Sequence, residues 1–444
     1  MMKMKRILPL ALLFGATITF VGCAGEEDDL FDQSAAQRLI AAETVYSNRL
    51  TDAPAGWTME YYPTYDSLGF KAKGYLMLAN FKKDGSVLIA MNNAFSENKY
   101  LEATSLWEII TDNGPELSFN SYNACLHAFS SPEDLPSSIN DSGDNVQGMG
   151  AEGDYEFVLV DVKEGANEIN VKGKKRGTYV HMVKLDEDVT DYQAYLHRID
   201  SLSSVLFPSS LPVYPILAID TLQFDFTNAA SGIVELYPVG GDPVTQTTHH
   251  SYIISYYGGA YHLRFRYPLD FGVSKAQDFV YNEKEERFVC NEGNAEIKGR
   301  PVIQTLQNLL IDGRTWQVRR VDRTRLSDEM YEYLRAINAS LHNLSSLNFL
   351  YADGKFYWKL LTSQAEYEYD CSFNEEQNTI RMSYVGPKNT VAENVFNRTV
   401  PVQNLVNALS QDFVITACNS AFDLRTLRFT SVSTPDFWFE LTIQ

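Results

Sequence analysis

Tyr261-His262-Leu263-Arg264-Phe265-Arg266-Tyr267 puts Tyr261, Leu263, Phe265 and Tyr267 on one face of an extended chain and His262, Arg264 and Arg266 on the other. Successive side chains of a strand point to opposite sides, so this alternation describes a strand with one apolar and one polar face. Phe437-Trp438-Phe439-Glu440-Leu441-Thr442-Ile443 repeats the pattern at the end of the chain. Between Glu366 and Phe373, Tyr367, Tyr369, Cys371 and Phe373 alternate with acidic residues and Ser372 in the same way. Asp84-Gly85, Gly258-Gly259 and Asp353-Gly354 fall between such runs and accept the positive φ of tight hairpin turns. The expected fold class is mainly β with a few packing helices, its sheets antiparallel and wet on one face.

Four helices are predicted as struts. Ser34 to Arg49 opens with the capping-box pair Ser34 and Gln37, and Thr190 to Leu206 carries Tyr192, Tyr195, Leu196, Ile199 and Leu202 at helical spacing. Ser327 is an N-cap candidate ahead of Asp328 and Glu329 for a helix reaching Leu341, and a short helix is expected over Val402 to Leu409. Leu135 to Gly153 reads as a long polar loop, and Phe207 to Pro215 as a linker. A chain of this length exceeds what one core usually holds. The expected organisation is a leader at 1–22, an acidic tether at 23–33, an N-terminal β domain at 34–207 and a C-terminal β-rich domain at 208–444. No fixed period of a solenoid or propeller is visible.

Lys3, Lys5 and Arg6 precede the apolar run Ile7 to Val21, which ends at Phe20-Val21-Gly22-Cys23. That is the pattern of a bacterial lipoprotein signal, with Cys23 as the acylated (palmitate-bearing) residue and the new N-terminus. The formal charge is −20 for the whole chain, and loss of a leader with three basic and no acidic residues takes it to −23. Nucleic acid is excluded as a partner: its recognition needs basic stripes, and Lys172-Gly173-Lys174-Lys175-Arg176 is the largest basic run. Cys125, Cys290, Cys371 and Cys418 show no metal spacing; they allow three pairings if all are oxidised, and Cys371 reads as a buried free thiol.

Ser34-Ala35-Ala36-Gln37-Arg38-Leu39, Ala55-Gly56-Trp57, Tyr61-Tyr62-Pro63, Asp84-Gly85-Ser86-Val87, Leu117 to Asn123 and Gly153 to Phe157 carry a resemblance. Over most of residues 30 to 180 the chain resembles a family of Bacteroidota lipoproteins described only as a domain of unknown function. The resemblance implies a surface accessory protein of loci that encode a TonB-dependent nutrient transporter and its lipoprotein lid (starch-utilisation-like systems). It supplies no catalytic residue. The acidic run Glu26-Glu27-Asp28-Asp29 is similar to the export tag such lipoproteins carry behind the acylated cysteine. The order of Trp57, the Phe81 to Gly85 hairpin and Trp107 is similar to calycin (lipocalin-like) barrels, which implies an eight-stranded barrel able to hold side chains or one small ligand.

The chemistry-bearing residues are few. No Gly-x-Ser-x-Gly elbow and no Cys/His signature is present, so no catalytic residue is assigned. His249, His250 and His262 could approach across a hairpin as a zinc set, but adjacent strand histidines point to opposite faces and Arg264 and Arg266 oppose a cation; no metal and no cofactor is expected. Asp186-Glu187-Asp188 with Asp191 lacks the glycine and final glutamate of a calcium loop and reads as the charged start of a helix. Tyr122, Asn123 and His127 form the candidate ligand mouth, with a packing role as the alternative. Ser67, Ser201 and Thr221 sit in Asp-Ser/Thr-Leu triplets that resemble the O-glycosylation sequon of Bacteroidota exported proteins.

The functional expectation is a lipid-anchored outer-membrane protein, exposed on the cell surface or on the periplasmic face, that binds a small molecule, glycan or peptide or supports an uptake complex without catalysis. The rivals are a hydrolase of glycan or peptide using paired carboxylates, and a structural or adhesive envelope protein.

Overall fold

The computed structural model describes residues 34–64, 72–111, 114–140, 150–161, 167–272, 274–342, 344–361 and 363–444. Cys23, the leader, the acidic tether and Ser67 lie outside them, as do residues 141–149 of the polar loop expected from Leu135 to Gly153, in which Ser137–Asn140 is a short helix. The protein is mainly β, and its strands form three antiparallel sheets.

The first sheet has nine strands, and its two outermost, Leu101–Leu106 and Glu108–Thr111, are consecutive in the chain on either side of Trp107. One bent strand thus bonds to Ser86–Met91 with its first half and to Pro115–Ser118 with its second, and the ring of strands closes through Trp107. The Trp107 indole holds that corner by donating to the Ser86 carbonyl at 3.0 Å and meeting Phe81 edge-on. Trp57, Met59, Tyr61, Met77 and Met182 fill the interior with no exposed surface. The helix Ala35–Thr51, capped by the Ser34–Gln37 box as predicted, packs on this barrel, and the Leu50 carbonyl accepts from the Trp57 indole at 2.9 Å.

Residues 208–444, expected as one β-rich domain, hold two closed eight-stranded barrels, the first running from Ile216–Ile219 to Ala295–Lys298 and the second from Trp316–Arg319 to Trp438–Ile443. In each, strands pair in chain order and the last returns to the first, so no edge remains to template aggregation. Gly299-Arg300-Pro301 and the helix Val302–Ile311 separate them. Only three residues lie between the last strand of one barrel and that helix, so no polar, Pro-rich stretch like that after Phe207 marks the boundary. Insertions of unequal length, such as helices Thr390–Arg398 and Val400–Ala408 in the third barrel, erase any fixed period. Thr390–Arg398 and Val302–Ile311 were not anticipated; the predicted helices at 190–206 and 327–341 are Tyr192–Leu206, capped by Asp191, and Asp328–Leu341, capped by Ser327.

The three interiors differ in what closes them. Phe207, at the end of the Tyr192–Leu206 helix, stacks against Phe226 and Phe288 inside the second barrel. Phe422, from the turn between strands Asp412–Ala417 and Thr426–Ser431 of the third, enters the same cluster. Cys125, Cys290, Cys371 and Cys418 are all free thiols, and burial pushes Cys125 and Cys418 up to about 12.

Candidate functional site

Strand Trp57–Tyr62 alternates as a barrel strand must, with Trp57, Met59 and Tyr61 pointing inward. Its outward residues Thr58, Glu60 and Tyr62 are nevertheless as buried as the inward ones. The cover is the outer face of the second barrel, built from the strands Thr248–Tyr257 and Ala260–Leu269. The polar face of residues 261–267 that a lone sequence assigns to solvent is therefore a joint: Arg266 is only 6% exposed.

Glu60 lies at the centre of this joint. Its Oε1 accepts from the Ser255 hydroxyl at 2.9 Å, and its Oε2 is 3.7 Å from Arg264 Nε, beyond hydrogen-bond range. Its cross-strand neighbour is His181, whose Nδ1 is 2.9 Å from Asn170 Oδ1; Tyr179 donates to that same oxygen at 2.9 Å. At the margin His262 Nδ1 sits 3.0 Å from Asp278 Oδ2, with the Tyr257 ring stacked on the imidazole at 3.7 Å. The Tyr62 hydroxyl donates to the Arg264 carbonyl at 3.4 Å, and Arg266 donates to the Thr64 carbonyl.

Burial decides the charge states. Loss of water raises the Glu60 carboxyl to about 8, more than the Arg264 guanidinium and the Ser255 hydrogen bond can offset. Loss of water likewise lowers His181 to about 3, helped by Arg264, so the 4.0 Å approach of its Nε2 to Glu168 is not an ion pair at neutral pH. For Arg264 burial opposes the charge, but Glu60 and Tyr179 outweigh it and raise its pKa. A carboxyl and an imidazole held neutral side by side are compatible with burial, where two charges would each lose several kcal/mol of hydration.

The residues singled out from sequence fall elsewhere. Tyr122, Asn123 and His127 do come together in the first barrel: the His127 ring lies between Tyr122 at 5.1 Å and Tyr155 at 4.9 Å. Asn123, however, is fully engaged. Its Oδ1 accepts from the backbone of Cys125 and Leu126, and its Nδ2 donates to the Ala103 carbonyl and the Ser105 hydroxyl. Burial lowers the His127 pKa, and its Nδ1 meets the Asn123 amide at 3.1 Å. Asn123 thus caps the short helix Ala124–His127 and ties it to the wall, which leaves Tyr122, 61% exposed, as the most open of the three, with His127 half-buried. Ser201 is exposed on the Tyr192–Leu206 helix, and Thr221 is exposed beside Asp220 in a hairpin turn.

His249, His250 and His262 have separate partners: Glu235 at 3.8 Å, Thr248 at 2.8 Å and Asp278 respectively. Among the described residues no group of three His, Cys, Asp or Glu side chains is placed to hold a metal. Asp186 does not begin a helix; its two carboxylate oxygens accept from the amides of Gly258 and Gly259 at 2.9 and 3.0 Å, pinning a turn of the second barrel to the end of the first. Sequence reasoning missed Glu60, His181 and Arg264. The signal for Glu60 was a lone carboxylate on the strand Trp57–Tyr62, otherwise apolar, aromatic and hydroxyl-bearing; the strands of His181 and Arg264 carry further charged or ionisable residues and offered none.

Tandem up-and-down barrels joined through buried polar contacts define the architectural class. Within it, the chain belongs to the family described as Domain of unknown function (DUF4302), whose model matches residues 27–283. The match spans the first barrel and the joint, then stops after strand Ala276–Asn282, whereas the second barrel closes only with Arg287–Cys290 and Ala295–Lys298. No curated protein matches the chain.

Proposed function

We propose that this chain is a surface lipoprotein, anchored in the outer membrane through acylated Cys23, that acts without catalysis as a binding or accessory component of a nutrient-uptake system. One observation carries the non-catalytic reading: Glu60 and His181, the carboxyl and imidazole at the heart of the charged cluster, are 0% and 1% exposed in a joint between barrels. Groups sealed from solvent fix domain geometry and meet no substrate. The filled barrel interiors support the same reading, since a ligand is left the recesses between barrels and the outer surfaces. The leader ending in Cys23 and the acidic run behind it support the location.

The test follows the anchor. Wild-type protein should take up labelled palmitate and sediment with outer membranes, and Cys23→Ala should abolish both, because acyl chains supply the membrane affinity. Tagged wild-type protein extracted in mild detergent should carry a TonB-dependent transporter and its lipoprotein lid with it. Unlabelled, freely soluble wild type would overturn the location, and turnover of a glycan or peptide by the purified chain would overturn the non-catalytic role.

A further inference from the structure

A second feature of the joint between the first two barrels is open to solvent. A cleft of about 240 Å³ lies between the first barrel, the Tyr192–Leu206 helix and the second barrel. At the volume of liquid water this is room for about eight waters, and so for a molecule of amino-acid size. One wall is apolar, formed by Leu196, Ile199 and Ile254; another carries Asn92, Asn93 and Asn98 from the turn after strand Ser86–Met91.

Two ionisable side chains from different elements face this space. Lys73 precedes strand Tyr75–Phe81, and its stem lies so close to Gly232 that a Cβ there would meet Lys73 Cε at 2.7 Å. Asp200, on the helix, is steadied by the Asn92 amide, which donates to its Oδ2 at 2.7 Å. Burial pulls the lysine below its ordinary pKa, with no carboxylate among the described residues opposing it, and pushes the Asp200 carboxyl up despite His197 and Asn92. Neither charge therefore answers the other. Asn92 Oδ1 and Asn93 Nδ2, on residues lining the same cleft, are moreover buried without a hydrogen-bond partner, an arrangement folded proteins seldom leave unused.

We propose that this cleft binds a small zwitterion, a free amino acid with an apolar side chain, its carboxylate on Lys73, its ammonium on Asp200 and its side chain on the Leu196, Ile199 and Ile254 wall. A simple anion is disfavoured by Asp200 and a simple cation by Lys73, whereas a zwitterion offers each side chain an opposite charge and favours its charged form. This deepens the binding reading given above and names the class of nutrient.

The experiment is isothermal titration of the purified Cys23→Ala chain with L-leucine, with 4-methylpentanoate (no ammonium) and leucinol (no carboxylate) as comparators. Leucine should bind, and each comparator should bind about tenfold or more weakly, the weight of one charge-assisted contact. Lys73→Met and Asp200→Asn should each lose about tenfold with unchanged thermal unfolding, and Ser203→Trp, which fills the cleft from the helix, should abolish binding. No heat from leucine at millimolar concentration, equal affinity for a comparator, or unaltered binding in Asp200→Asn or Ser203→Trp would overturn the proposal. Failure here with palmitoylation and transporter association intact would leave the uptake reading standing; leucine binding by a chain that is never acylated would do the reverse.

Discussion

The two joints between barrels are built from opposite materials. Between the first and second barrels the contact is polar and wide, with Glu60 to Ser255, Ser251 to the Ala72 carbonyl, and the Tyr195 hydroxyl bridging both the N–H and the carbonyl of Tyr256. Between the second and third it is narrow and centred on one apolar plug: Phe422 packs against Phe207 and Phe288, while the Ala421 amide donates to Glu286 at 2.7 Å and Gly299 leaves room that a Cβ would deny to the Ala421 carbonyl. Apolar burial is non-directional and tolerates rotation about the plug; a web of directed hydrogen bonds does not. The first joint is thus suited to fixing the cleft beside Lys73, and the second to holding a neighbouring barrel in place.

The largest effect should come from the plug. Phe422 is 1% exposed, and Phe422→Ala removes a ring from a packed aromatic cluster, a change that costs about 3–5 kcal/mol in protein cores. Urea unfolding should show that loss, whereas Val321→Ala, at a side chain 72% exposed, should stay within about 0.5 kcal/mol of wild type. Equal midpoints for Phe422→Ala and wild type would mean that the plug is ornamental and the contrast between joints is false.

Next in size is a pH dependence confined to the polar joint. Glu60 ionises near 8 when folded against an ordinary 4.5, so between those values the native state holds the extra proton and stability must fall as pH rises. His181 is the mirror case: its folded value near 3 lies below its ordinary 6.5, so its contribution is complete above 6.5 and is lost as pH falls through 3. The slopes oppose each other between about 4.5 and 6.5, giving a plateau there with a decline on either side. Glu60→Gln keeps an acceptor for Ser255 and should flatten the alkaline decline, on the order of a few kcal/mol, without touching the acid limb. Urea midpoints from pH 4 to 9 for both proteins decide it; an alkaline slope that survives the substitution would remove Glu60 from the account.

How far this could be read from residues alone follows from the same two joints. Residues 261–267 gave the strand, and Leu263 and Phe265 do face the core, though Tyr267 from the same face is 52% exposed; Asp84-Gly85, Gly258-Gly259 and Asp353-Gly354 all form hairpin turns. What alternation cannot say is whether a polar face meets water or another barrel, because Arg264 facing Glu60 and Arg264 facing solvent have the same spelling. That one ambiguity hid the joint. The candidate mouth at Tyr122, Asn123 and His127 holds a second ambiguity: the three are neighbours, but Asn123 spends its amide on the helix cap and the wall, and capping asparagines and ligand-binding asparagines look alike in one dimension. Lys73 and Asp200 carried no pattern at all, since they lie 127 positions apart and only the packing of the helix and two barrels brings them to one cleft.

The smallest expected effect tests whether the polar joint is a web or a single clasp. Asp186, just after the last strand of the first barrel, accepts from the amides of Gly258 and Gly259 at the tip of the hairpin that joins the two covering strands. Both contacts are exposed, so water competes for each, and hydrogen bonds of this kind contribute about 0.5–1.5 kcal/mol. Asp186→Ala should therefore shift urea unfolding by no more than about 1 kcal/mol, while amide exchange at Gly258 and Gly259 should quicken because their carboxylate cover is gone. If the joint is a web, that quickening stays local and the Ser255 and Tyr256 amides keep their protection. If exchange rises across the whole strand Thr248–Tyr257, one exposed carboxylate holds the barrels together, and the distinction between a wide polar joint and a narrow apolar one collapses.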